Sequence, residues 1–211
     1  MAADIVLLAA VAAGTIRIAM LQARLRTLQA QVIRDPLTGA FNRRHLHVML
    51  AAAVERRRRG SERASLLCID VDRFKEVNDL LGHAIGDRVL KDLVALVSQR
   101  LRKVDALFRV GGEEFALLLT GAALADAIAV AETVRALVQD AGLIPGRPLS
   151  ISIGVVELAN GQTVPDWIAA ADAALYRAKR SGRNRVATRF VRHADRPEDT
   201  GNRLSFPVRT S

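Results

Sequence analysis

The stretch RVGGEEFALLL, Arg109 to Leu119, sets two glycines and two acids ahead of an apolar run opened by Phe115. Its flanks, DALFRV and FALLL, read as strands. A Gly-Gly pair between apolar segments marks a tight hairpin, because both central residues can take φ > 0. Gly111 and Gly112 are therefore expected to turn a hairpin, with Glu113 and Glu114 at its rim. Alone, such acids read as a solvated turn; they gain meaning only if the rest of the chain answers them.

LLCIDVDRFKEVND supplies one answer. An expected strand, Ser65–Asp70, ends in acids, and Asp70 and Asp72 project to one face if the backbone is extended. Carboxylates at a strand end beside an acidic hairpin rim form an oxygen-ligand set suited to Mg²⁺, which favours carboxylates together with substrate phosphates. In GHAIGDRVL, Gly82 and Gly86 loosen the backbone and Asp87 opens the next helix, where a helix-terminal acid is the structural alternative. His83 has no Cys or His at ligand spacing. YRAKRSGRNRV sets Lys179 and Arg183 four apart, on one helix face if the helix persists past Ser181. They are cations for phosphates or a solvated basic helix end.

Composition narrows the classes. The chain has 211 residues and half are hydrophobic, enough for a proper core and too many for wholesale disorder. A net charge of +9 draws anions without choosing among nucleotides, nucleic acid and anionic lipid. One Trp and one Tyr speak against a stacking platform for single-stranded nucleic acid. Arg56–Arg59 read as a solvated helix end, so no nucleic-acid partner is expected. The lone Cys68, inside SLLCID, is expected to be a buried small hydrophobe, and a single cysteine fits a reducing compartment.

Ala2–Leu21 is apolar and about bilayer length, with Asp4 and Arg17 its only charges. Arginines 17, 24, 26 and 34 follow the apolar core, so the expectation is an inner-membrane anchor with the remainder facing the cytoplasm. An alanine-rich soluble helix is the alternative. Ile18, Leu21, Leu25, Leu28 and Val32 recur at a/d spacing, which suggests a parallel two-stranded stalk and a homodimer, or else a stripe packing on the domain. DPLTGAFN then breaks the helix. Expected helices over His45–Arg59, Phe74–His83, Asp87–Leu101, Ala123–Val138 and Asp166–Arg180 interleave with strands, giving an α/β sandwich on a five-stranded mixed sheet. The division is residues 1–34 as helix and stalk, 35–190 as the domain, and 191–211 as a polar, disordered tail.

DPLTGAFNRR, DVDRFKEVND, GHAIGD, RVGGEEF and AKRSGRNRV, in this order, resemble the GGDEF family of diguanylate cyclases from about Asp35 to Phe190. The resemblance implies an α+β palm-like fold: a five-stranded mixed sheet wrapped by helices, the signature on a β-hairpin, and a long N-terminal helix ahead of it. It implies that Asp70, the Val71 carbonyl and Glu113 hold Mg²⁺ on a triphosphate, with Glu114 beside them. Whether Glu113 or Glu114 also acts as a base stays open. Gly111 and Gly112 would admit the nucleotide where a Cβ would clash. Asn78 and Asp87 match positions that read guanine, and Lys75, Lys179 and Arg183 match phosphate contacts. Asp72 belongs to the motif without a ligand role. The implied reaction condenses two GTP into cyclic di-GMP and two pyrophosphates, one GTP per domain, so a stalk that pairs two domains would serve catalysis.

Arg102 and Asp105 form an RxxD that matches the family's product-inhibition site, with a helix-end ion pair as the structural alternative. Arg73 and Ala40 stand where the family varies. Only an anchor-like helix precedes the domain, so regulation is expected through that helix, partners or product. The competing reading is a catalytically silent module that binds GTP or cyclic di-GMP.

Overall fold

The computed structural model describes residues 14–22, 33–60 and 62–188. Most of the expected anchor, the stalk positions Leu25, Leu28 and Val32, and residues 191–211 lie outside these. Residues 14–22 are helical and exposed. No helix among the described residues is long and apolar enough to cross a membrane.

The central strand is β2, Ala64–Val71, which is apolar on both faces because helices cover both sides of it. It pairs antiparallel with β4 (Glu114–Thr120) and with β5 (Ile151–Glu157). On one side β4 continues to β3 (Ala106–Arg109), antiparallel, and then to β1 (Phe41–Asn42), parallel. On the other side β5 pairs in parallel with β6 (Val186–Thr188). Among the described residues the sheet therefore has six strands in the order β1-β3-β4-β2-β5-β6, a mixed α+β palm-like sheet. The sequence expectation of five missed β1. Two paired residues within DPLTGAFN are too short to show alternation.

Helices α1 (Arg43–Arg58) and α5 (Val164–Arg180) cover one face. Their Leu46, Leu50, Trp167, Ala171 and Ala174 pack on Leu66, Phe108 and Leu118. Trp167 is fully buried, and its Nε1 donates to the Val156 carbonyl at 2.9 Å, so the indole is sunk without an orphaned donor. The other face is closed by α2 (Phe74–Leu81), α3 (His83–Ser98) and α4 (Leu124–Asp140). Small residues set the spacing on the first face. A Cβ on Gly154 of β5 would lie 2.2 Å from the Leu175 nitrogen and 2.4 Å from the Ala171 carbonyl oxygen, so α5 rests directly on the strand backbone.

Asn42 caps α1, accepting from the His45 amide, and Thr163 caps α5 in the same way through Asp166. At the far end of α1 the arginines are not simply solvated: Arg58 and Arg59 bridge to Glu55, and Arg56 to Glu62 at 3.0 Å.

Candidate active site

The hairpin between β3 and β4 is closed by the Val110 and Gly111 amides, which donate to the Glu114 carbonyl at 2.9 and 3.3 Å. Neither Gly111 nor Gly112 has positive φ, contrary to the expectation from the Gly-Gly pair. Arg109 does the work instead. Its Nε donates to both the Gly111 and Gly112 carbonyls at 3.2 Å, and its Nη2 donates to Gly112 at 2.8 Å. A Cβ on Gly111 would meet the Glu114 carboxylate at 2.5 Å and push that side chain aside, whereas one on Gly112 would point into open space.

The remaining guanidinium nitrogen of Arg109 donates to Asp35 at 3.0 Å. Asp35 also accepts from the Thr38 amide and hydroxyl at 2.8 and 2.7 Å. Burial pushes the Asp35 carboxyl up, but the hydrogen bonds from Thr38 and Arg109 outweigh it and leave the group below its ordinary value. One arginine thus ties the turn at the start of the domain to the carbonyls of the acidic hairpin. Neither role was foreseen from sequence. Arginine just before a glycine turn was the available signal, but its partner lies 74 residues away.

β2 delivers Asp70 directly opposite Glu114 in register, and the Val71 amide donates to the Glu113 carbonyl at 3.3 Å. The end of β2 and the hairpin rim are therefore fixed side by side. Asp70 lies on the α5 side of the sheet, where Lys179 Nζ meets its Oδ2 at 2.7 Å; the two side chains are 9% and 32% exposed. Burial pushes the Asp70 carboxyl up, Lys179 opposes this, and the charges of Glu114 and Asp72 add to it. Glu113 is also pushed up, first by burial and then by Asp70. Two carboxyls held above their ordinary range side by side mark this end of the sheet as a candidate functional site.

Asp70, Glu113, Lys75, Lys179 and Arg183 all line one cavity of about 460 Å³. Lys179 and Arg183 do not reach it along one helix face. The helix ends at Arg180, and Arg183 follows in a left-handed conformation, φ 61°. Asp72 is used structurally: it is buried and accepts from the hydroxyls of Ser150 and Ser152 at 2.7 and 2.6 Å. So Asp70 and Asp72, expected to act on one face, take different partners.

Asn78 and Asp87 sit on the adjoining helices α2 and α3 and do not line that cavity. Asp87 is exposed in the second turn of α3, which starts at His83, so it is not a helix-terminal acid. Gly86 faces Asn78 so closely that a Cβ would fall 1.9 Å from Asn78 Oδ1. Arg102 and Asp105, beyond α3, form a bidentate pair with both bonds at 3.1 Å. The Arg102 guanidinium also donates to the Thr120 carbonyl at 3.4 Å. These two residues flank the opposite end of β3 from the glycine turn, about 13 Å of strand away.

A second cleft, about 360 Å³, lies on the α5 side and includes Cys68, Asp172, Tyr176 and Glu114. Cys68 is only half-buried, not sealed in the core as its apolar neighbours suggested. Its thiol is nevertheless pushed well up by burial and by Asp172 and Glu114, which leaves it protonated and unsuited to nucleophilic attack.

Among the described residues no three His, Cys, Asp or Glu side chains are grouped to hold a metal by themselves. Asp70 and Glu113, which line the same cavity, offer carboxylate oxygens of the kind a divalent cation takes. Both carboxyls are raised first by burial and then by neighbouring acids, and a bound cation would relieve that.

Residues 32–185 match the family profile of the diguanylate cyclase GGDEF domain. The chain belongs to the GGDEF family. This GGDEF chain is 40% identical over 166 residues to the probable diguanylate cyclase DgcC of Escherichia coli strain K12, an alignment covering 76% of this chain and 44% of DgcC. It thus spans less than half the length of that relative. Among solved structures, the coiled coil and GGDEF domain of DgcB from Caulobacter crescentus, in complex with c-di-GMP, matches with a TM-score of 0.71 at 28% identity. That match covers 86% of this chain and 98% of DgcB's. The diguanylate cyclase SiaD of Pseudomonas aeruginosa, solved with its activator SiaC, matches with a TM-score of 0.71 at 40% identity, over 86% of this chain and 71% of SiaD's.

Proposed function

We propose that this GGDEF chain condenses two GTP into cyclic di-GMP and two pyrophosphates. The observation that carries the reading is the meeting of the raised carboxyls Asp70 and Glu113 with Lys75, Lys179 and Arg183 around one cavity. Triphosphate oxygens need cations, and the acids opposite them need a cation of their own. Lys75, Lys179 and Arg183 hold the phosphates; Asn78 and Asp87, on the neighbouring helices, read the guanine edge. Gly112, with open space where a Cβ would stand, lets the nucleotide approach the hairpin backbone.

In each of two steps the 3′-hydroxyl of one GTP attacks the α-phosphorus of the other, its proton leaves to a base, and pyrophosphate departs. Mg²⁺ held by Asp70, Glu113 and the Val71 carbonyl would supply charge neutralisation on the phosphates and a more acidic hydroxyl. Glu113 and Glu114 are the carboxylates within the hairpin able to receive the proton. Both substrates cannot occupy one such site, so the working unit is a homodimer with two sites face to face, brought together by the seam from Ile18 to Val32. Residues 2–21 serve as the membrane anchor that leaves the domain in the cytoplasm. Product restrains the enzyme at Arg102 and Asp105, whose mutual bonds would be exchanged for guanine and phosphate.

The test is cyclic di-GMP formation from GTP and Mg²⁺ by the full chain and by a Glu113→Ala, Glu114→Ala double variant. The expected outcome is product from the wild type and a fall of at least about 100-fold in the variant. A folded, dimeric wild type that binds GTP yet forms no product would instead establish a silent nucleotide-binding module.

A further inference from the structure

Beyond α5 the chain passes through three successive residues of positive φ: Gly182 at 115°, Arg183 at 61° and Asn184 at 45°. Glycine takes such a conformation freely, but the two that follow are L residues with full side chains, which rarely do. A left-handed pair at a ligand cavity persists only where surrounding bonds over-determine it. Here they do, and nearly all of them converge on Asn184.

The Asn184 amide donates to Asp72 Oδ2 at 3.0 Å. Its side-chain Nδ2 donates to Gln139 Oε1 at 3.0 Å, and its Oδ1 accepts from Arg135 Nη1 at 2.8 Å. Arg135 is itself braced, donating to Gln139 at 2.8 Å and to Glu132 at 2.8 Å. Asp72 is locked from the β5 side by Ser150 and Ser152. Asn184 is therefore clamped between Asp72, just past the end of β2, and helix α4. The residue displayed by this clamp is Arg183, whose amide is tied back to the Ala178 carbonyl at 3.1 Å and whose side chain lines the cavity with Asp70 and Glu113.

We propose that Asn184 is a positioning residue: held by Asp72, Arg135 and Gln139, it fixes the left-handed turn that aims Arg183 at the substrate phosphates. The inference rests on the reading of Arg183 as a phosphate contact, and it gives the buried Asp72 a purpose that metal binding does not. A guanidinium on a free loop would have to be ordered at each binding event; one on a pre-formed turn binds without that loss.

The experiment measures GTP affinity of the full chain in EDTA, where no turnover competes, for Arg183→Ala, Asn184→Ala, their double variant and Asn184→Gly. Arg183→Ala and Asn184→Ala are each expected to weaken GTP binding about tenfold. The double variant is expected to bind no more weakly than Arg183→Ala alone, because Asn184 acts through Arg183. Asn184→Gly, which keeps access to positive φ but loses the side-chain bonds, should fall between wild type and Asn184→Ala. Losses that multiply in the double variant, or an Asn184→Ala protein with wild-type affinity, would overturn the proposal. Wild-type affinity in Arg183→Ala would remove the phosphate reading itself, and the inference with it. Should Asn184→Ala fail to melt cooperatively, the exposed Gln139→Ala takes its place: a two- to fivefold weakening that vanishes in the Arg183→Ala background supports the role, and unchanged affinity refutes it.

Discussion

Glu113 stands in the folded protein with its carboxyl pushed above the ordinary range by burial and by the charge of Asp70. A carboxyl whose folded-state value is raised is ionised at a disadvantage at neutral pH, and that disadvantage is relieved as the pH falls through the raised value. Glu113→Gln removes the charge while keeping the shape. The variant is expected to melt higher than the wild type at pH 7 to 8 in EDTA, by about 2 °C, with the difference shrinking toward acid pH. Mg²⁺ should raise the melting temperature of the wild type more than that of the variant. A thermal melt series over pH, with and without the metal, checks both, and a lower-melting Glu113→Gln would show that Glu113 stabilises the empty fold. Asp35 runs the other way. Its carboxyl is held below its ordinary value by Thr38 and Arg109 despite burial, so its contribution is present at neutral pH and lost only in acid, as the pH falls through the lowered value.

At the scale of elements, the α2–α3 pair places its site residues by what it leaves out. Gly86 lies within α3 and is buried beneath Asn78. Gly86→Ala gains helix propensity of about 1 kcal/mol, yet its new methyl collides with the end of the Asn78 side chain, which can rotate away, and presses at 3.2 Å on the buried Phe74 ring, which offsets that gain. The expected result is a fold about as stable as the wild type with GTP affinity reduced roughly tenfold, read by paired thermal melts and GTP titrations. Unchanged affinity would argue against Asn78 as a guanine contact.

The same elements show what was legible in advance. The GG turn between apolar runs announced the hairpin, and the acids at the end of SLLCID announced Asp70, because both signals are local in sequence. β1 offered two residues and no period. The clamp on the hairpin was hidden because Arg109 and Asp35 are far apart in the chain, and the brace on Asn184 joins residues separated by 112, 49 and 45 positions. Local pattern fixes elements and the acids at their ends. Side-chain bonds between distant segments, which hold the cations and the turn in place, leave no spacing to read.

For the whole molecule, the proposed reaction needs two domains to meet, so on that reading activity should depend on how often they do. Replacing Leu25 and Leu28 with Arg in the full chain should break the seam and lower specific activity about tenfold at low protein concentration, with recovery as concentration rises. Cyclic di-GMP formation across a dilution series reads this out, and a variant equal to the wild type at every dilution would separate the seam from catalysis. Arrangement within each domain matters as much as arrangement between them. Lys179 and Arg183 leave from the end of α5 and Asp70 from the end of β2; Lys179 joins the two ends directly, and α5 lies this close to the sheet because Gly154 of β5 has no side chain. A geneticist surveying variants of this chain would therefore meet an apparent paradox. Gly154 is a mid-strand position that no substrate would touch, yet its alleles would score as nulls beside those of Lys179 and Arg183, with one difference: a methyl driven into the α5 backbone costs the fold itself, so the protein would be missing along with the signal.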